Sequence, residues 1–326
     1  MALIVKKVTK SFDKVSGPVL SDVSFKIEAG EIVAVIGPNG SGKSTLLSII
    51  AGLLSPDTGE VRLDKEKLEG PEKNLVPGHE EIKLVFQDYG LKPSMTVREN
   101  IRYQLLDFKE SYQQERINEV LELCELKGLE KRKPGELSGG QQQRVSLANA
   151  MATDPQVLLM DEPFSNLDPF TKEEMISEVK RIAKETNTTI VIVTHDGIDA
   201  LSLADRVAFL DEGTIQQFGT PGQLYYQPEN QKIGHFLGYL SLLSDQTKKR
   251  LGVDSGKKIA IRAEHLHLDP DGYEYKVLDI DWKGFYQLGF LDQGDRPHPL
   301  ILLLPPGHQL NATVRISFET NRFIYF

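Results

Sequence analysis

The sequence predicts an α/β domain built on a mainly parallel β-sheet, followed by a small antiparallel β-domain. From about residue 3 to 235, short apolar runs alternate with helical patterns, as in domains whose strands and helices alternate along the chain. The runs at 31–37, 156–162 and 188–196 are continuously apolar, as expected of strands covered on both faces. After Gly238 the alternation stops, and short strand candidates separated by Gly, Pro and Asp take its place.

These patterns predict two domains. The first spans residues 1–238, and a helical subdomain covers about residues 90–155 of it, where QQERINEVLELCELKGL shows helical periodicity and strand patterns are missing. The second spans residues 239–326, where KKIAIR, YEYKVLDIDW, FYQLGFLD, LILLL and ATVRISF predict short strands. Their number and spacing favour a small antiparallel β-barrel of OB-like type.

Composition narrows the classes of partner. The formal net charge of −9 gives no general attraction to polyphosphate backbones, so nucleic acid is not an expected partner. Cys124 is the single cysteine and excludes an intrachain disulfide, so we expect a reducing compartment. No stretch approaches the ~20 apolar residues needed to cross a bilayer, and the N-terminus lacks the pattern of a secretion signal. Any work at a membrane is therefore expected to depend on partners.

The segment GPNGSGKST at residues 37–45 has the pattern of a phosphate-binding loop (P-loop). It follows the EIVAVI strand and opens a helical pattern, so its glycines let backbone N–H groups converge on phosphate oxygens at the positive end of a helix. In this pattern the lysine reaches the β- and γ-phosphates and the following serine ligates Mg²⁺. The sequence therefore predicts nucleoside triphosphate binding by Gly37, Pro38, Asn39, Gly40, Ser41, Gly42, Lys43, Ser44 and Thr45.

A second strand, VLLMDE, ends in the carboxylates Asp161 and Glu162. Asp161 is placed to hold the metal, and Glu162 to orient or deprotonate a water for in-line attack on the γ-phosphate. A strand that ends in Asp-Glu is common and can be a solvated terminus. Its place downstream of a phosphate-binding loop favours the chemical interpretation.

Further motifs accompany these two. Gln87 follows an apolar strand in KLVFQDYG, LSGGQQQR opens a helix at 137–144, SNLD ends in Asp168, VTHD contains His195, and VTKSF near the N-terminus contains Phe12. In this order the motifs resemble those of the ATP-binding subunits of ABC transporters. In that family they are the Q-loop, the signature motif, the D-loop and the switch histidine, and the aromatic ring near the N-terminus stacks on adenine.

The resemblance implies a Mg²⁺-dependent, ATP-hydrolysing enzyme with a P-loop NTPase cassette and helical subdomain. Glu162 is implied to be the catalytic base, and His195 to sense the γ-phosphate. The flexible Q-loop is implied to touch the metal and the attacking water and to sense a membrane partner. The implied catalytic residues are Glu162, His195, Gln87 and Asp168, and the implied metal-binding residues are Ser44, Gln87 and Asp161.

The signature motif is a helix start without a base, a nucleophile or a metal ligand. Its serine, its glycine amides and the helix dipole suit a phosphate, yet the chain already has one phosphate-binding loop. The resemblance implies a head-to-tail homodimer with two ATP molecules, in which the signature motif of one subunit faces the γ-phosphate bound by the other. The residues implied to bind nucleotide across the dimer are Ser138, Gly139, Gly140 and Gln141.

The predicted C-terminal domain indicates an importer. IRAEHLHL at 261–268 resembles an element of the regulatory (TOBE) domain of maltose-type, ferric-ion, sulfate and polyamine importers. This implies two transmembrane permease subunits, an extracellular or periplasmic solute-binding protein, and a peripheral location on the cytoplasmic face of the inner or plasma membrane. Ala263 replaces the usual proline, Lys92 replaces a usual aromatic residue, and GIDAL follows His195 where a glutamine-containing run is common. The solute stays open among iron, polyamine, sulfate or thiosulfate, and sugars.

Two other functions stay open from the sequence. A soluble ABC-type ATPase that acts on nucleic acid or ribosomes would share the cassette, although this chain has neither a long coiled coil nor a second phosphate-binding loop. A relative that binds ATP without turnover is the third alternative. The Asp161–Glu162 pair and His195 favour turnover.

Overall fold

The computed structural model describes residues 2–12, 17–73, 77–253, 256–294 and 298–326. The chain separates into two units, Met1–Pro221 and Gly222–Phe326. Within the described ranges, no helix is both long enough and apolar enough to cross a membrane.

In the first unit, strands and helices alternate along the chain as the apolar runs predict. In chain order they are β1 (Ala2–Lys10), β2 (Leu20–Glu28), β3 (Ile32–Ile36), α1 (Lys43–Ile50), β4 (Thr58–Leu63), β5 (Glu66–Lys67), β6 (Ile82–Val85), α2 (Val97–Tyr103), α3 (Glu110–Leu123), α4 (Gly139–Met151), β7 (Val157–Asp161), α5 (Pro169–Thr186), β8 (Thr189–Thr194), α6 (Gly197–Leu203), β9 (Arg206–Asp211) and β10 (Thr214–Gly219). A 3-10 turn at Pro134–Glu136 precedes α4.

The central sheet has the order β10-β9-β3-β8-β7-β6, and every neighbouring pair is parallel except β10 with β9. In β7, Leu158 and Met160 face the core that contains α2–α5, whereas Val157 and Leu159 face the core that contains α1. Because such strands are covered on both faces, they read as continuous apolar runs in the sequence. The predicted α/β class with a mainly parallel sheet is confirmed.

A second, antiparallel sheet of the first unit has the order β2-β1-β4-β5. It shares a core with α1 and the central sheet, to which α1 contributes Leu46 and Ile50. Packed in this core, α1 follows β3 after the loop at the carboxyl end of that strand. The segment from Val97 to Met151 contains α2, α3 and α4, and the sequence predicts its helical subdomain there.

The second unit is mainly antiparallel β-structure. Its elements are α7 (Pro221–Tyr226), which begins at the unit boundary, α8 (Gln231–Phe236), β11 (Leu240–Leu242), α9 (Asp245–Leu251), β12 (Ile259–Arg262), β13 (Leu266–Trp282), β14 (Gln287–Asp292), β15 (Leu300–Leu304), β16 (Thr313–Phe318) and β17 (Ile324–Tyr325). The sheets have the orders β11-β12-β17 and β15-β14-β13-β16. β13 is long enough to pair with both β14 and β16, and its sheet curls into a half barrel, which confirms the predicted OB-like class.

The sequence places the domain boundary at residue 238, whereas the structure separates the units after Pro221. The segment between these points packs with the second unit because Arg262, fully buried, donates hydrogen bonds to the carbonyl oxygens of Tyr225 at 2.7 Å and Gly234 at 2.8 Å. A contact between residues so far apart in the chain leaves no local pattern in the sequence. The boundary predicted from sequence therefore lies later in the chain than the boundary in the structure. The functional division at residue 238 stays a prediction.

Candidate active site

The phosphate-binding loop lies between β3 and α1 and depends on glycines with positive φ. Gly37 has φ of 152°, and a Cβ there would lie 1.9 Å from the carbonyl oxygen of Leu210. Gly42 has φ of 102°, and a Cβ there would lie 2.7 Å from Leu20 Cδ2. The helix α1 begins at the next residue, Lys43. The loop is therefore pressed against its neighbours at both ends, as a backbone that wraps a phosphate requires.

The Lys43 side chain folds back over this loop. Its Nζ donates hydrogen bonds to the carbonyl oxygens of Gly37 at 2.9 Å and Pro38 at 3.0 Å. Burial lowers the pKa of Lys43, and the nearby carboxylates of Glu162 and Asp161 oppose that shift. Charged phosphate oxygens are stronger hydrogen-bond acceptors than neutral carbonyl oxygens. The Lys43 ammonium group is therefore suited to exchange its hydrogen bonds to these carbonyls for hydrogen bonds to phosphate oxygens.

Two side chains of the loop region fit the predicted ligands. Ser41 Oγ is buried and has no hydrogen-bond partner within the described part of the chain, which suits a phosphate oxygen. Ser44 Oγ donates to Asp161 Oδ1 at 3.3 Å, which places two oxygen ligands side by side. Burial raises the pKa of Asp161 and the charge of Glu162 adds to this, while the Ser44 hydrogen bond and the Lys43 charge lower it.

This pair of oxygens suits Mg²⁺, which prefers oxygen ligands and keeps waters and phosphate oxygens in the rest of its shell. In the described residues, no group of three or more His, Cys, Asp or Glu side chains could hold a metal ion. Ser44 and Asp161, whose oxygens lie side by side, fit a Mg²⁺ site that a nucleotide completes.

Glu162 follows β7 in the left-handed region, with φ of 48°. Its N–H donates to the carbonyl oxygen of Val193 on β8 at 2.9 Å, which fixes this uncommon conformation. Its Oε2 lies 2.7 Å from Nδ1 of His195, which follows β8. Adjacent parallel strands thus bring the carboxylate and the imidazole together, with the carboxylate side chain 15% exposed and the imidazole 56% exposed.

Gln87 reaches this pair through Ser165. Gln87 Nε2 donates to Ser165 Oγ at 3.4 Å, and Ser165 Oγ in turn donates to the carbonyl oxygen of Glu162 at 3.0 Å. The Q-loop is therefore connected to the backbone of the proposed base.

These parts share one cavity of about 540 Å³. Its lining consists of Val19 and nine predicted site residues, which are Asn39, Gly40, Gly42, Lys43, Ser44, Thr45, Gln87, Glu162 and His195. Asp161 is hydrogen-bonded to Ser44 of this lining. Sequence reasoning missed Val19, which belongs to none of the motifs, and Ser165. The position of Ser165 in SNLD, shortly after the strand that ends in the two carboxylates, was an available signal.

Phe12 does not line this cavity. Its side chain is 63% exposed, and Lys10 Nζ lies 5.9 Å from the ring centroid. The Lys10 ammonium is held by Asp57 Oδ1 at 2.9 Å. An exposed aromatic ring that is not packed in the core is available for stacking, and its role with adenine stays a prediction.

The signature motif forms the start of α4 and does not line this cavity. Ser138 Oγ accepts a hydrogen bond from the Gln141 N–H at 3.3 Å, and Gln141 Oε1 accepts one from the Ser138 N–H at 3.1 Å. This capping box uses the Gln141 side chain within the subunit. Ser138 and Gly139 are exposed, whereas Gly140 is buried against Thr171.

The D-loop aspartate also caps a helix. Asp168 Oδ1 accepts from the N–H groups of Phe170 and Thr171, both at 3.1 Å, and its Oδ2 accepts from Thr171 Oγ1 at 2.6 Å. The Thr171 hydrogen bond lowers the pKa of Asp168. The structure does not place Asp168 in the cavity with Glu162 and His195, and its predicted catalytic role is untested by this geometry.

Comparisons with known proteins agree with this site. A family model described as "ABC transporter" matches residues 20–165. The sn-glycerol-3-phosphate import ATP-binding protein UgpC of Chromobacterium violaceum is 37% identical over 86% of this chain and 80% of its own length. The sulfate/thiosulfate import ATP-binding protein CysA of Halalkalibacterium halodurans is 39% identical over 76% of this chain and 70% of its own length.

Solved structures lead to the same family. The ATP-binding cassette MJ0796, in a dimeric post-hydrolysis structure bound to ADP and Pi, is 34% identical with a TM-score of 0.58, over 67% of this chain and 98% of that one. CbiO1 from Clostridium perfringens, part of the ABC transporter complex cbiONQ, is 30% identical with a TM-score of 0.63, over 68% of this chain and 89% of that one. The chain belongs to the family of ATP-binding subunits of ABC transporters.

Proposed function

We propose that this chain is the ATP-hydrolysing subunit of an ABC importer and works as a head-to-tail homodimer beneath two membrane permease subunits. The observation that carries the proposal is the shared cavity of Lys43, Ser44, Glu162 and His195, combined with a signature helix whose start is exposed and does not line that cavity. ATP binding closes the dimer, and hydrolysis followed by release of phosphate and ADP reopens it.

The residues of the cavity divide the chemistry among them. The loop amides and Lys43 would hold the β- and γ-phosphates, while Ser44, Asp161 and Gln87 would hold the metal. When bound, Mg²⁺ neutralises charge on the phosphate oxygens. Glu162 accepts a proton from the water that attacks the γ-phosphorus as the bond to ADP breaks.

His195 and the signature motif support that step. The imidazole Nδ1 lies 2.7 Å from Glu162 Oε2, so it orients the carboxylate and can contact the γ-phosphate from the same position. In the dimer, Ser138 and the amides of Gly139 and Gly140 would contact the γ-phosphate held by the partner. Because Ser138 Oγ accepts its capping bond, its hydroxyl proton remains available to a phosphate.

An exposed apolar surface supports permease docking. Phe86, which precedes the Q-loop glutamine, is 48% exposed, and Leu106 and Phe108 after α2 are 58% and 44% exposed. Lys92 Nζ lies 4.1 Å from the ring centroid of Tyr103, which joins the Q-loop to the end of α2. Exposed apolar side chains in the Q-loop segment and after α2, two segments joined by the Lys92–Tyr103 contact, suit a contact with a membrane subunit that the Q-loop would sense. With this docking we also propose a peripheral location on the cytoplasmic face of the membrane.

The names of the relatives support the proposal of an importer. With it we propose an external solute-binding protein in the same system. Their names give different solutes, among them sn-glycerol-3-phosphate and sulfate or thiosulfate, so none is assigned to this chain. The net charge of −9 argues against the alternative in which the ATPase acts on nucleic acid or ribosomes.

Glu162→Gln tests the proposal. The variant should bind ATP, lose hydrolysis by a factor of about 10²–10⁴ as expected for a removed general base, and accumulate as an ATP-bound dimer in sedimentation. Glu174→Gln, an exposed change on α5, is the matched control and should hydrolyse normally. Near-normal turnover in Glu162→Gln would remove Glu162 from this role, and a monomer with bound ATP would contradict the dimer.

A further inference from the structure

Tyr89 lies two residues after Gln87, in a backbone conformation that a tyrosine seldom adopts. Its φ is +65°, and φ of the next residue, Gly90, is +60°. A bulky residue in the left-handed region is strained and persists only where its surroundings hold it there. The contacts of Tyr89 therefore show what this conformation serves.

Both ends of Tyr89 contact the signature helix α4. Its carbonyl oxygen accepts a hydrogen bond from Ser146 Oγ at 2.7 Å. Its hydroxyl lies beside the first residue of the same helix, since a Cβ built on Gly139 would be 3.6 Å from that oxygen. Tyr89 thus follows α4 over about two turns, from Ser146 back to the exposed end.

The same hydroxyl reaches the D-loop. Burial, the larger effect, raises the pKa of Tyr89, and the Asn166 side chain beside the hydroxyl lowers it. The carbonyl oxygen of Asn166 lies 3.9 Å from the Cβ position of Gly139, so the three residues meet at one point. One residue earlier, Ser165 accepts the hydrogen bond from Gln87. The Q-loop therefore contacts two consecutive residues of SNLD, through Gln87 and Tyr89.

We propose that Tyr89 is a positioning residue that couples the Q-loop to the phosphate-facing end of the signature helix. Tyr89 does not line the cavity of its own chain and acts through Gly139 and Asn166. A displacement of the Q-loop would move the start of α4 with it, because the ring joins the two. This inference rests on the proposed function, since the signature motif has a ligand only in the head-to-tail dimer.

Tyr89→Phe tests the coupling because it keeps the ring and removes only the hydroxyl. In a Glu162→Gln background, the ATP concentration for half-maximal dimer formation should rise roughly 5-fold, the change expected from the loss of one polar contact. Nucleotide affinity of the monomer and the melting temperature should stay unchanged. In the hydrolysing background, the rate per subunit should fall at low subunit concentration and recover at high concentration. Tyr325→Phe, an exposed tyrosine of the second unit, is the control.

A double-mutant cycle with Asn166→Ala tests the contact itself. If Tyr89 acts through Asn166, the double variant should dimerise no worse than the more affected single variant. Additive effects, or a Tyr89→Phe variant that dimerises like the control, would overturn this inference alone. A loss of dimer that matches a fall in melting temperature would assign Tyr89 a structural role instead. Absence of ATP-dependent dimers already in the Glu162→Gln parent would overturn the proposed function and this inference with it.

Discussion

The two signature glycines, Gly139 and Gly140, should respond differently to the same substitution. A Cβ on Gly140 would lie 2.5 Å from Thr171 Cγ2, whereas the nearest atom to a Cβ on Gly139 is Tyr89 Oη at 3.6 Å, an ordinary contact. Thr171 cannot rotate away freely, because its Oγ1 donates to Asp168 Oδ2 at 2.6 Å. The second glycine of the signature motif is thus required for packing inside the subunit, apart from any role towards a nucleotide.

The magnitude follows from two opposing effects. Alanine in place of glycine gains up to about 1 kcal/mol of helix stability at either position, and less in a first turn. Forcing an extra methyl group into a filled space costs about 1–3 kcal/mol. Since the helix effect is common to both variants, Gly140→Ala should be less stable than Gly139→Ala by about 1–3 kcal/mol, which is the cost of the clash alone.

Urea denaturation followed by circular dichroism measures this difference. Trp282, the single tryptophan, lies in the second unit, so a fluorescence transition reports on that unit and should not move. Adding Thr171→Ser, which removes Cγ2 and keeps the hydroxyl, should restore the stability of Gly140→Ala. Equal midpoints for the two alanine variants, or no recovery with Thr171→Ser, would refute the packing argument.

Three further predictions concern pH, metal and the second unit. Burial raises the pKa of Glu178 from 4.5 to about 7, and Arg144 opposes this. Because the folded state then favours the protonated carboxyl, the stability that this group contributes is fully present below the unfolded pKa and is lost as pH rises through about 7. In urea denaturation, Glu178→Gln should therefore gain up to about 3 kcal/mol of stability relative to the unmodified protein between pH 4.5 and 8. A difference in stability that stays constant with pH would contradict the shift. Ser44→Ala should raise the Mg²⁺ concentration for half-maximal hydrolysis about 10-fold or more, and EDTA should abolish hydrolysis; an unchanged Mg²⁺ dependence would exclude this ligand. Arg262→Met leaves the buried carbonyl groups that Arg262 binds unpaired, and it should destabilise the second unit by about 2–5 kcal/mol. Tryptophan fluorescence measures this change, and an unshifted unfolding transition would show that these Arg262 hydrogen bonds are dispensable.

Most of the first unit could be predicted from short segments of sequence, because its strands and its phosphate-binding loop each leave a pattern within a few neighbouring residues. Strands covered on both faces must be apolar throughout, and a loop that folds around phosphate needs glycines, as Gly37 and Gly42 show. The pairing of Glu162 with His195 was also within reach, since parallel neighbouring strands end at one edge of their sheet.

Contacts between residues far apart in the chain could not be predicted from the sequence. Arg262 anchors the segment before residue 238 through backbone carbonyls, and carbonyl acceptors have no sequence signature. Likewise, nothing in LSGGQQQR indicates that Gly140 is packed on Thr171, or that Tyr89 lies along the same helix. These contacts depend on how α4 and α5 are placed, which local patterns do not specify.

Cross-linking across the dimer tests the central claim most directly. Cys124 is fully buried, and burial raises the pKa of its thiol. Only the introduced cysteines would therefore react with a maleimide. With Glu162→Gln as the parent, Asn39→Cys and Ser138→Cys subunits are mixed and treated with a short bis-maleimide. A head-to-tail dimer predicts an ATP-dependent cross-link in the mixture and none with Asn39→Cys subunits alone. A cross-link between two Asn39→Cys subunits, or none in the mixture with ATP, would contradict the account.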